Sequence, residues 1–215
     1  MNNPIKFIIF DLDDTIIYSN LNYSTIRNQV AELLDPSILK QEVEKTPILS
    51  LLELLKEYQP ELYPEGVKRM VMLEEEAIKG ARIMDGANMI PKVLKKFSLK
   101  SAIYTNGSRK TIRRYYEKFP FLCDMSILTR DDIIHPKPHP EGLIKLMNEY
   151  NIPNLNTVYI GDSWIDSIAA DKAKIRFILF NSRKLSLNSF SAPPYRIITN
   201  WFDFESLLTS LKHED

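Results

Sequence analysis

Short runs of aliphatic, β-branched or aromatic residues alternate along the chain with longer stretches that have apolar residues at helical spacing. Most of these runs are apolar throughout, which is typical of strands covered on both faces of a parallel sheet. The predicted strands are Lys6–Phe10, Ser101–Thr105, Met125–Leu128, Thr157–Ile160, Arg176–Phe180 and Arg196–Ile198. The predicted helices are Ile90–Phe97, Arg109–Phe119, Pro140–Tyr150, Trp164–Lys174 and Phe202–Leu211. This order predicts an α/β fold with a doubly wound, Rossmann-like parallel sheet.

One long interval interrupts the alternation directly after the first predicted strand. From residue 16 to about residue 83 there is no convincing strand, but four segments have apolar residues at helical spacing, and prolines mark their joins. These segments are Tyr23–Leu34, Ser37–Lys45, Ile48–Tyr58 and Glu65–Lys79. Because a structureless loop of this length is uncommon in a compact domain, the sequence predicts an inserted four-helix unit.

Charge and cysteine content argue against several classes of protein. The 215 residues include 28 Lys and Arg against 28 Asp and Glu, so the basic excess typical of nucleic-acid or membrane-surface binding is absent. The single cysteine, Cys123, cannot form an internal disulfide. The N-terminal apolar stretch is too short for a signal peptide, so none is expected, and the sequence has no apolar run of about 20 residues. We therefore expect a cytoplasmic protein. We also expect a monomer, with a dimer as the alternative.

Acidic residues follow the first predicted strand directly. Asp11, Asp13 and Asp14 come after Phe10, and ligands of open α/β sheets bind at the carboxyl ends of the strands. Carboxylates held close together raise one another's pKa, and a divalent cation would relieve that repulsion. Oxygen ligands of this kind suit Mg²⁺. The alternative is a solvated turn in which these residues only cap the next helix.

A second polar loop is suited to binding an anion. Thr105, Asn106, Gly107 and Ser108 end another predicted strand and lead into the helix that begins near Arg109. Main-chain N–H groups at such a position can face a phosphate. An ordinary turn between a strand and a helix would explain the same residues equally well.

Two later segments add one cation and two more acids. Lys137 stands between prolines, which stiffen the backbone and could aim its ammonium at a fixed anion, although an incidental surface lysine is the alternative. Asp162 ends a predicted strand, and Asp166 lies about one turn into the following helix, so both carboxylates can face the same spot. A helix cap would account for one of these acids but not for both.

Taken together, the four segments resemble the haloacid dehalogenase-like hydrolase superfamily, in particular its phosphatase branch with an α-helical cap. The resemblance covers essentially the whole chain and depends on the order, strand-end placement and spacing of the segments. The matching residues are Asp11, Asp13 and Thr15 of a DxDxT motif, then Thr105 and Asn106, then Lys137, and finally Gly161, Asp162 and Asp166 of a GDxxxD motif. The resemblance implies an α/β catalytic core of residues 1–15 and 84–215 with an α-helical cap of residues 16–83.

The resemblance also implies roles for the acids. Asp11 would be the nucleophile that forms an aspartyl-phosphate, and Asp13 would act first as general acid and then as general base. Asp11, Asp162 and Asp13 (through its main-chain carbonyl) would bind Mg²⁺, with Asp166 and Thr15 supporting them. The presence of Asp13 separates the chain from the dehalogenase branch, which lacks this acid and needs no metal.

Phosphate binding and substrate class are implied in the same way. Thr105, the N–H of Asn106 and Lys137 would bind the transferring phosphoryl group. Weaker candidates for substrate contacts are Gly107, Ser108 and Arg109. The expected substrate is a small phosphorylated metabolite. The family often has glycine at the position of Asp14, where aspartate is also seen. It commonly has glycine at the position of Lys174, where the end of a helix favours a left-handed backbone conformation. Neither departure changes the expected chemistry.

Three other functions are compatible with parts of the pattern. A phosphomutase of the β-phosphoglucomutase kind would share every core residue and differ in the cap. A response-regulator receiver domain also has clustered acids, a threonine and a lysine, but it is shorter and has its accepting acid after a mid-chain strand. A catalytically silent protein that binds a phospho-ligand is the third alternative, although such proteins usually lack one of the core acids, and none is missing here.

Overall fold

The computed structural model describes residues 4–39, 42–190 and 192–213. The strands are β1 (Phe7–Phe10), β2 (Ile17–Tyr18), β3 (Arg82–Ile83), β4 (Lys100–Tyr104), β5 (Ser126–Leu128), β6 (Thr157–Gly161), β7 (Arg176–Phe180) and β8 (Arg196–Ile198). The α-helices are α1 (Tyr23–Ala31), α2 (Ile48–Tyr58), α3 (Tyr63–Gly80), α4 (Ile90–Phe97), α5 (Arg109–Lys118), α6 (Glu141–Tyr150), α7 (Trp164–Ala173) and α8 (Phe204–His213).

Six of the strands form one parallel sheet in the order β5-β4-β1-β6-β7-β8, flanked by helices. From β1 the chain runs outward through β4 and β5 on one side, and then returns to run outward through β6, β7 and β8 on the other side. The sheet is therefore doubly wound, and the predicted Rossmann-like α/β fold is confirmed. The six predicted strands and the five predicted helices of this region are all present, with ends that differ by at most two residues. The carboxyl ends of the parallel strands therefore lie at one edge of the sheet.

The central strand β1 explains why this sheet forms. Its four side chains, Phe7 to Phe10, are completely buried, and it pairs with β4 on one side and β6 on the other. Burying side chains of this size contributes roughly 1.5–3 kcal/mol each. A strand that is apolar on both faces can be accommodated only in the middle of a covered sheet.

The chain divides into two compact units, one formed by Met1–Tyr18 and Arg82–Asp215 and the other by Ser19–Ala81. The smaller unit consists of α1, α2 and α3 around its own apolar cluster, which includes Val30, Leu51 and Leu55. Helix α3 approaches α2 closely at Gly66, where an added Cβ would lie 2.8 Å from a methyl carbon of Leu55. The apolar residues at helical spacing in this interval thus pack together into a separate apolar core.

Two expectations for residues 16–83 are wrong in detail. The predicted helix Ser37–Lys45 is replaced by two 3₁₀ turns, Pro36–Ile38 and Val43–Lys45, while residues 40 and 41 lie outside the described residues. Asp35 caps the first turn through a 2.9 Å hydrogen bond from the Ser37 N–H, and this local bond competes with a longer helix.

The second difference is a pair of very short strands where none was expected. Strands β2 and β3 pair antiparallel, with Ile17 opposite Ile83 and Tyr18 opposite Arg82. Two-residue strands are too short for hydrophobic periodicity to reveal them. None of the helices in the described ranges is both long enough and apolar enough to cross a membrane.

Candidate active site

Three neighbouring strands end in the polar residues that the sequence singled out. Asp11 follows β1, Thr105 follows β4 and Asp162 follows β6, and β1 lies between the other two strands. The parallel arrangement brings these three positions to the same edge of the sheet. Asp11, Thr105 and Asp162 are all buried.

The side chain of Lys137 lies at this edge of the sheet, and the residue is only 4% exposed. Its Nζ donates to Asp11 Oδ1 at 2.5 Å, to Asp166 Oδ1 at 2.8 Å and to the Tyr159 hydroxyl at 2.8 Å. A buried ammonium is stable only when charged or polar partners surround it, and here two carboxylates and a hydroxyl do so. The alternative of an incidental surface lysine is therefore wrong.

The backbone around Lys137 is held by Asn106. The main-chain N–H of Lys137 donates to Asn106 Oδ1, and Asn106 Nδ2 donates to the Lys137 carbonyl, each at 3.0 Å. The two bonds join the loop after β4 to the loop that carries Lys137. The side chain of Asn106 thus orients the lysine, a role that the sequence pattern did not suggest.

Asp166 connects Lys137 to the start of α7. Its Oδ2 accepts the Ser163 N–H at 3.1 Å and also the Ser163 hydroxyl, while the Ser163 hydroxyl accepts the Asp166 N–H, which forms a capping box. Its Oδ1 accepts the Tyr159 hydroxyl at 2.6 Å. One carboxylate therefore caps a helix and also neutralises the buried lysine.

Asp13 lies two residues after Asp11 but has different partners. Its Oδ1 accepts the Tyr115 hydroxyl at 2.9 Å, and its Oδ2 accepts the Thr105 hydroxyl at 3.2 Å. Thr105 Oγ1 in turn accepts the Gly107 N–H at 2.8 Å. Asp13 is also more exposed than Asp11, so it lies at the border of the buried cluster.

Arg183, in the loop after β7, contacts two further acids. It donates to Asp14 Oδ2 at 3.0 Å and to Asp162 Oδ2, and both carboxylates are buried. Asp14 adopts φ 57°, the left-handed conformation that Asp tolerates better than most residues. The arginine therefore joins the loop after β1 to the loop after β6.

Three carboxylates could hold a cation. Asp11, Asp162 and Asp166 each offer an oxygen, and these oxygens lie within 4.8 Å of one another. The donors are all hard oxygen atoms, which suit Mg²⁺, so the residues present fit the expected ion. The side chain of Asp13 accepts hydrogen bonds from two hydroxyls, and a metal contact through its main-chain carbonyl stays a prediction.

Burial and mutual repulsion shift the ionisation of these acids. Burial outweighs the charge of Lys137 and raises the pKa of Asp11 to about 8. Burial, together with Asp166 and Asp11, raises the pKa of Asp162 well above its ordinary value. Burial also opposes ionisation of Asp166, but Lys137 and the hydrogen bonds from Ser163 and Tyr159 hold its pKa below the ordinary value. A divalent cation would favour the ionised forms of Asp11 and Asp162.

The remaining predicted site residues lie around this cluster. Thr15 Oγ1 is 3.5 Å from Asp11 Oδ2, which is long for a hydrogen bond. Ser108 caps α5, where its hydroxyl accepts the Thr111 N–H at 3.1 Å. Arg109 is exposed and its guanidinium is paired with Asp132, so its side chain is oriented toward that residue. A direct role for Thr15, Ser108 or Arg109 stays a prediction.

Sequence reasoning did not identify Tyr159, Tyr115 or Arg183. Tyr159 belongs to the apolar strand β6, where a tyrosine is expected to be a core residue. Tyr115 belongs to the helix α5 and is not part of any of the four motifs. Arg183 lies outside every motif. Their proximity to the acids depends on side-chain direction, which hydrophobic periodicity does not specify.

Comparison with known protein families identifies the family of this chain. The family model described as haloacid dehalogenase-like hydrolase matches residues 8–180, which include every core acid and Lys137. The chain belongs to this family. The predicted resemblance is thereby confirmed.

Individual relatives are distant in sequence but extend over most of the chain. A haloacid dehalogenase-like hydrolase domain-containing protein of Arabidopsis thaliana is 21% identical over 78% of this chain and 67% of its own length. Pyrophosphatase PpaX of Bacillus mycoides is 25% identical over 79% of this chain and 80% of its own length. The crystal structure of a hydrolase from Pseudomonas syringae has the same fold, with a TM-score of 0.76 and 22% identity over 96% of this chain and 99% of that one.

Proposed function

We propose that this hydrolase is a magnesium-dependent phosphatase that cleaves a small phosphomonoester through an aspartyl-phosphate on Asp11. The observation that carries the proposal is the buried contact of Asp11 with Lys137, beside Asp162 and Asp166. Membership of the hydrolase family and the similarity to a pyrophosphatase support a reaction at phosphorus.

Asp11 is the best placed nucleophile because it follows the central strand and has Lys137 on one side. A carboxylate and a phosphate dianion repel each other, so attack requires nearby positive charge, and the Lys137 ammonium provides part of it. Bound Mg²⁺ would supply the rest of that charge and keep the buried carboxylates ionised. The groups proposed to hold the ion are the carboxylates of Asp11 and Asp162 and the main-chain carbonyl of Asp13.

Asp13 completes the proton balance of the two steps. In the first step Asp11 attacks phosphorus, the bond to the leaving oxygen breaks, and Asp13 donates its proton to that oxygen. In the second step Asp13 takes a proton from water as the water oxygen attacks the aspartyl-phosphate, which releases phosphate and regenerates Asp11. One acid two residues away from the nucleophile can therefore serve both steps.

The loop after β4 is proposed to hold the phosphoryl oxygens. Thr105 and the main-chain N–H of Asn106 would donate to them together with Lys137. Gly107, which has no side chain, leaves room near Asp13: an added Cβ would lie 3.1 Å from Thr105 Oγ1 and 3.7 Å from Asp13 Oδ2. Positioning of this kind carries most of the catalysis in phosphoryl transfer.

Residues 16–83 are proposed to be the cap that sets substrate choice. The compact unit Ser19–Ala81 has its own apolar core, as a separately folded insertion should. The core residues are proposed to act on the phosphoryl group that all phosphomonoesters share, so differences among substrates are expected to depend on this insertion.

The proposal is tested by measuring release of phosphate from p-nitrophenyl phosphate with Mg²⁺, with EDTA, and with EDTA followed by excess Mg²⁺. We expect activity that disappears with EDTA and returns with Mg²⁺. A panel that includes pyrophosphate and small phosphorylated metabolites would then identify the substrate class. Identification of the products separates hydrolysis, which yields phosphate, from a mutase reaction, which yields an isomeric phosphate. Absence of Mg²⁺-dependent turnover on every substrate would contradict the proposal.

A further inference from the structure

The carboxylate of Asp13 is held by two hydroxyls that differ in distance. Tyr115 donates to Oδ1 at 2.9 Å, which is an ordinary hydrogen bond. Thr105 lies 3.2 Å from Oδ2, beyond the usual range of O–H···O bonds. Of these two hydroxyl contacts, the one to Oδ1 is therefore the shorter and stronger.

The two oxygens also have different surroundings. Oδ2 lies beside the loop that contains Thr105 and Gly107, where an added Cβ on Gly107 would be 3.7 Å away. Thr105 Oγ1 already accepts the Gly107 N–H and can accept one further proton, so a proton on Oδ2 would have an acceptor there. Oδ2 is thus the oxygen suited to carry the transferable proton.

Tyr115 is fixed in the position from which it holds Oδ1. It belongs to α5, whose first turn is capped by Ser108, and it is 1% exposed. Its ring lies against Phe119 with a centroid distance of 6.1 Å. A buried tyrosine has few rotamers available, so its hydroxyl can restrain the rotation of the Asp13 carboxyl group.

We propose that Tyr115 is a positioning residue, which holds Oδ1 of Asp13 so that Oδ2 faces the oxygen of the leaving group. The inference rests on the proposed function, since Asp13 acts as a general acid only in an enzyme that expels such a group. Tyr115 exchanges no proton with the substrate. It determines which carboxyl oxygen delivers the proton and where that oxygen lies.

The test compares leaving groups of different basicity but similar shape. A p-nitrophenolate ion leaves without protonation, whereas the more basic phenolate of phenyl phosphate leaves faster when an acid protonates it. In Tyr115→Phe we expect kcat/KM for phenyl phosphate to fall about tenfold to a hundredfold, and that for p-nitrophenyl phosphate to fall by less than about threefold. Tyr116→Phe is the matched control, because adjacent residues of a helix face different directions, and it should leave both values near wild type.

The two substrates together distinguish a positioning role for Tyr115 from a purely structural one. An equal loss on both substrates, or no loss on either, in a variant with a wild-type circular dichroism spectrum would overturn the positioning role and leave Tyr115 a structural residue. Tyr115→Met fills a similar volume without a hydroxyl and provides the same comparison if the phenylalanine variant does not fold. Failure of the proposed function is distinct, since wild-type enzyme would then lack Mg²⁺-dependent turnover of either ester.

Discussion

Asp11 and Asp13 are separated by one residue, yet their surroundings differ in almost every respect. Asp11 is buried against the ammonium of Lys137 and faces two other carboxylates, whereas Asp13 is partly exposed and accepts hydrogen bonds from the hydroxyls of Tyr115 and Thr105. Lys137 and a bound divalent cation together would keep Asp11 ionised, as a carboxylate nucleophile requires. Hydroxyl partners at the border of the buried cluster suit an acid that gains and loses a proton. Surroundings, and not residue type, therefore distinguish the two roles proposed for these residues.

The largest expected effect comes from removing the nucleophile. Asp11→Asn should lower kcat on the order of 10⁴-fold or more, because no covalent intermediate can form, while the folded structure is retained. Phosphate release and the circular dichroism spectrum measure the two expectations. Asp171→Asn makes the same chemical change at an exposed position of α7 and should be as active as wild type. Near-normal turnover of Asp11→Asn would mean that the nucleophile is another group.

Removing the second acid should have a large effect of a different kind. Asp13→Asn should lower steady-state turnover by about 10²- to 10⁴-fold, since neither proton transfer has a catalyst. With p-nitrophenyl phosphate, however, the first step needs no acid, so nitrophenolate should appear in a burst that is stoichiometric with enzyme. Stopped-flow absorbance detects such a burst. If Asp11→Asn and Asp13→Asn behaved identically in this assay, the distinction between the two acids would be lost.

Lys137→Met tests whether the ionic surroundings of Asp11 matter as the comparison proposes. The variant leaves Asp11 and Asp166 buried without their cation, which should destabilise the fold by about 3–5 kcal/mol in the absence of metal. Mg²⁺ should restore part of that stability but little of the activity, which we expect to fall by about 10²- to 10³-fold. Thermal melting with and without Mg²⁺ measures the stability. Lys92→Met, on α4, is the control, and equal melting temperatures for the two variants would refute a stabilising role for the buried ammonium.

The smallest effect is expected at Tyr159. Its hydroxyl donates to Asp166 and accepts from Lys137, so Tyr159→Phe removes about 1 kcal/mol of hydrogen bonding and should lower kcat/KM roughly fivefold. Because this tyrosine acts through Lys137 and not through Asp13, the loss should be the same for p-nitrophenyl and phenyl phosphates. A loss confined to phenyl phosphate would indicate that Tyr159 supports proton transfer by Asp13 instead.

The convergence of the acids was predictable from the sequence, but their immediate partners were not. Asp11, Asp162 and Lys137 were identified because parallel strands end at a common edge and because prolines flank the lysine. The contacts from Tyr115 and Arg183 depend on the rotamers of a helix and a loop, which no periodicity encodes. The predicted helix Ser37–Lys45 is wrong for a related reason. The hydrogen bond from the Ser37 N–H to Asp35 stabilises a short turn, although the apolar residues have helical spacing.

Two departures from the family pattern were understood from the sequence in part. Asp14 and Lys174 stand where glycine is frequent, and both adopt left-handed backbone angles, with φ of 57° and 58°. The sequence indicated the left-handed conformation at Lys174, where a helix ends, but not the one at Asp14. It did not indicate that the Asp14 carboxylate is held by Arg183, because that contact joins residues far apart in the chain.

The most direct test of the proposed mechanism is to locate the covalent phosphate. Asp13→Asn enzyme is mixed with p-nitrophenyl phosphate and Mg²⁺, quenched in acid, digested and analysed by peptide mass spectrometry. We expect one phosphoryl group on the peptide that contains Asp11, and none when Asp11 is also replaced by Asn. Phosphate attached to another side chain, or a burst of nitrophenolate with no phosphopeptide, would contradict the mechanism.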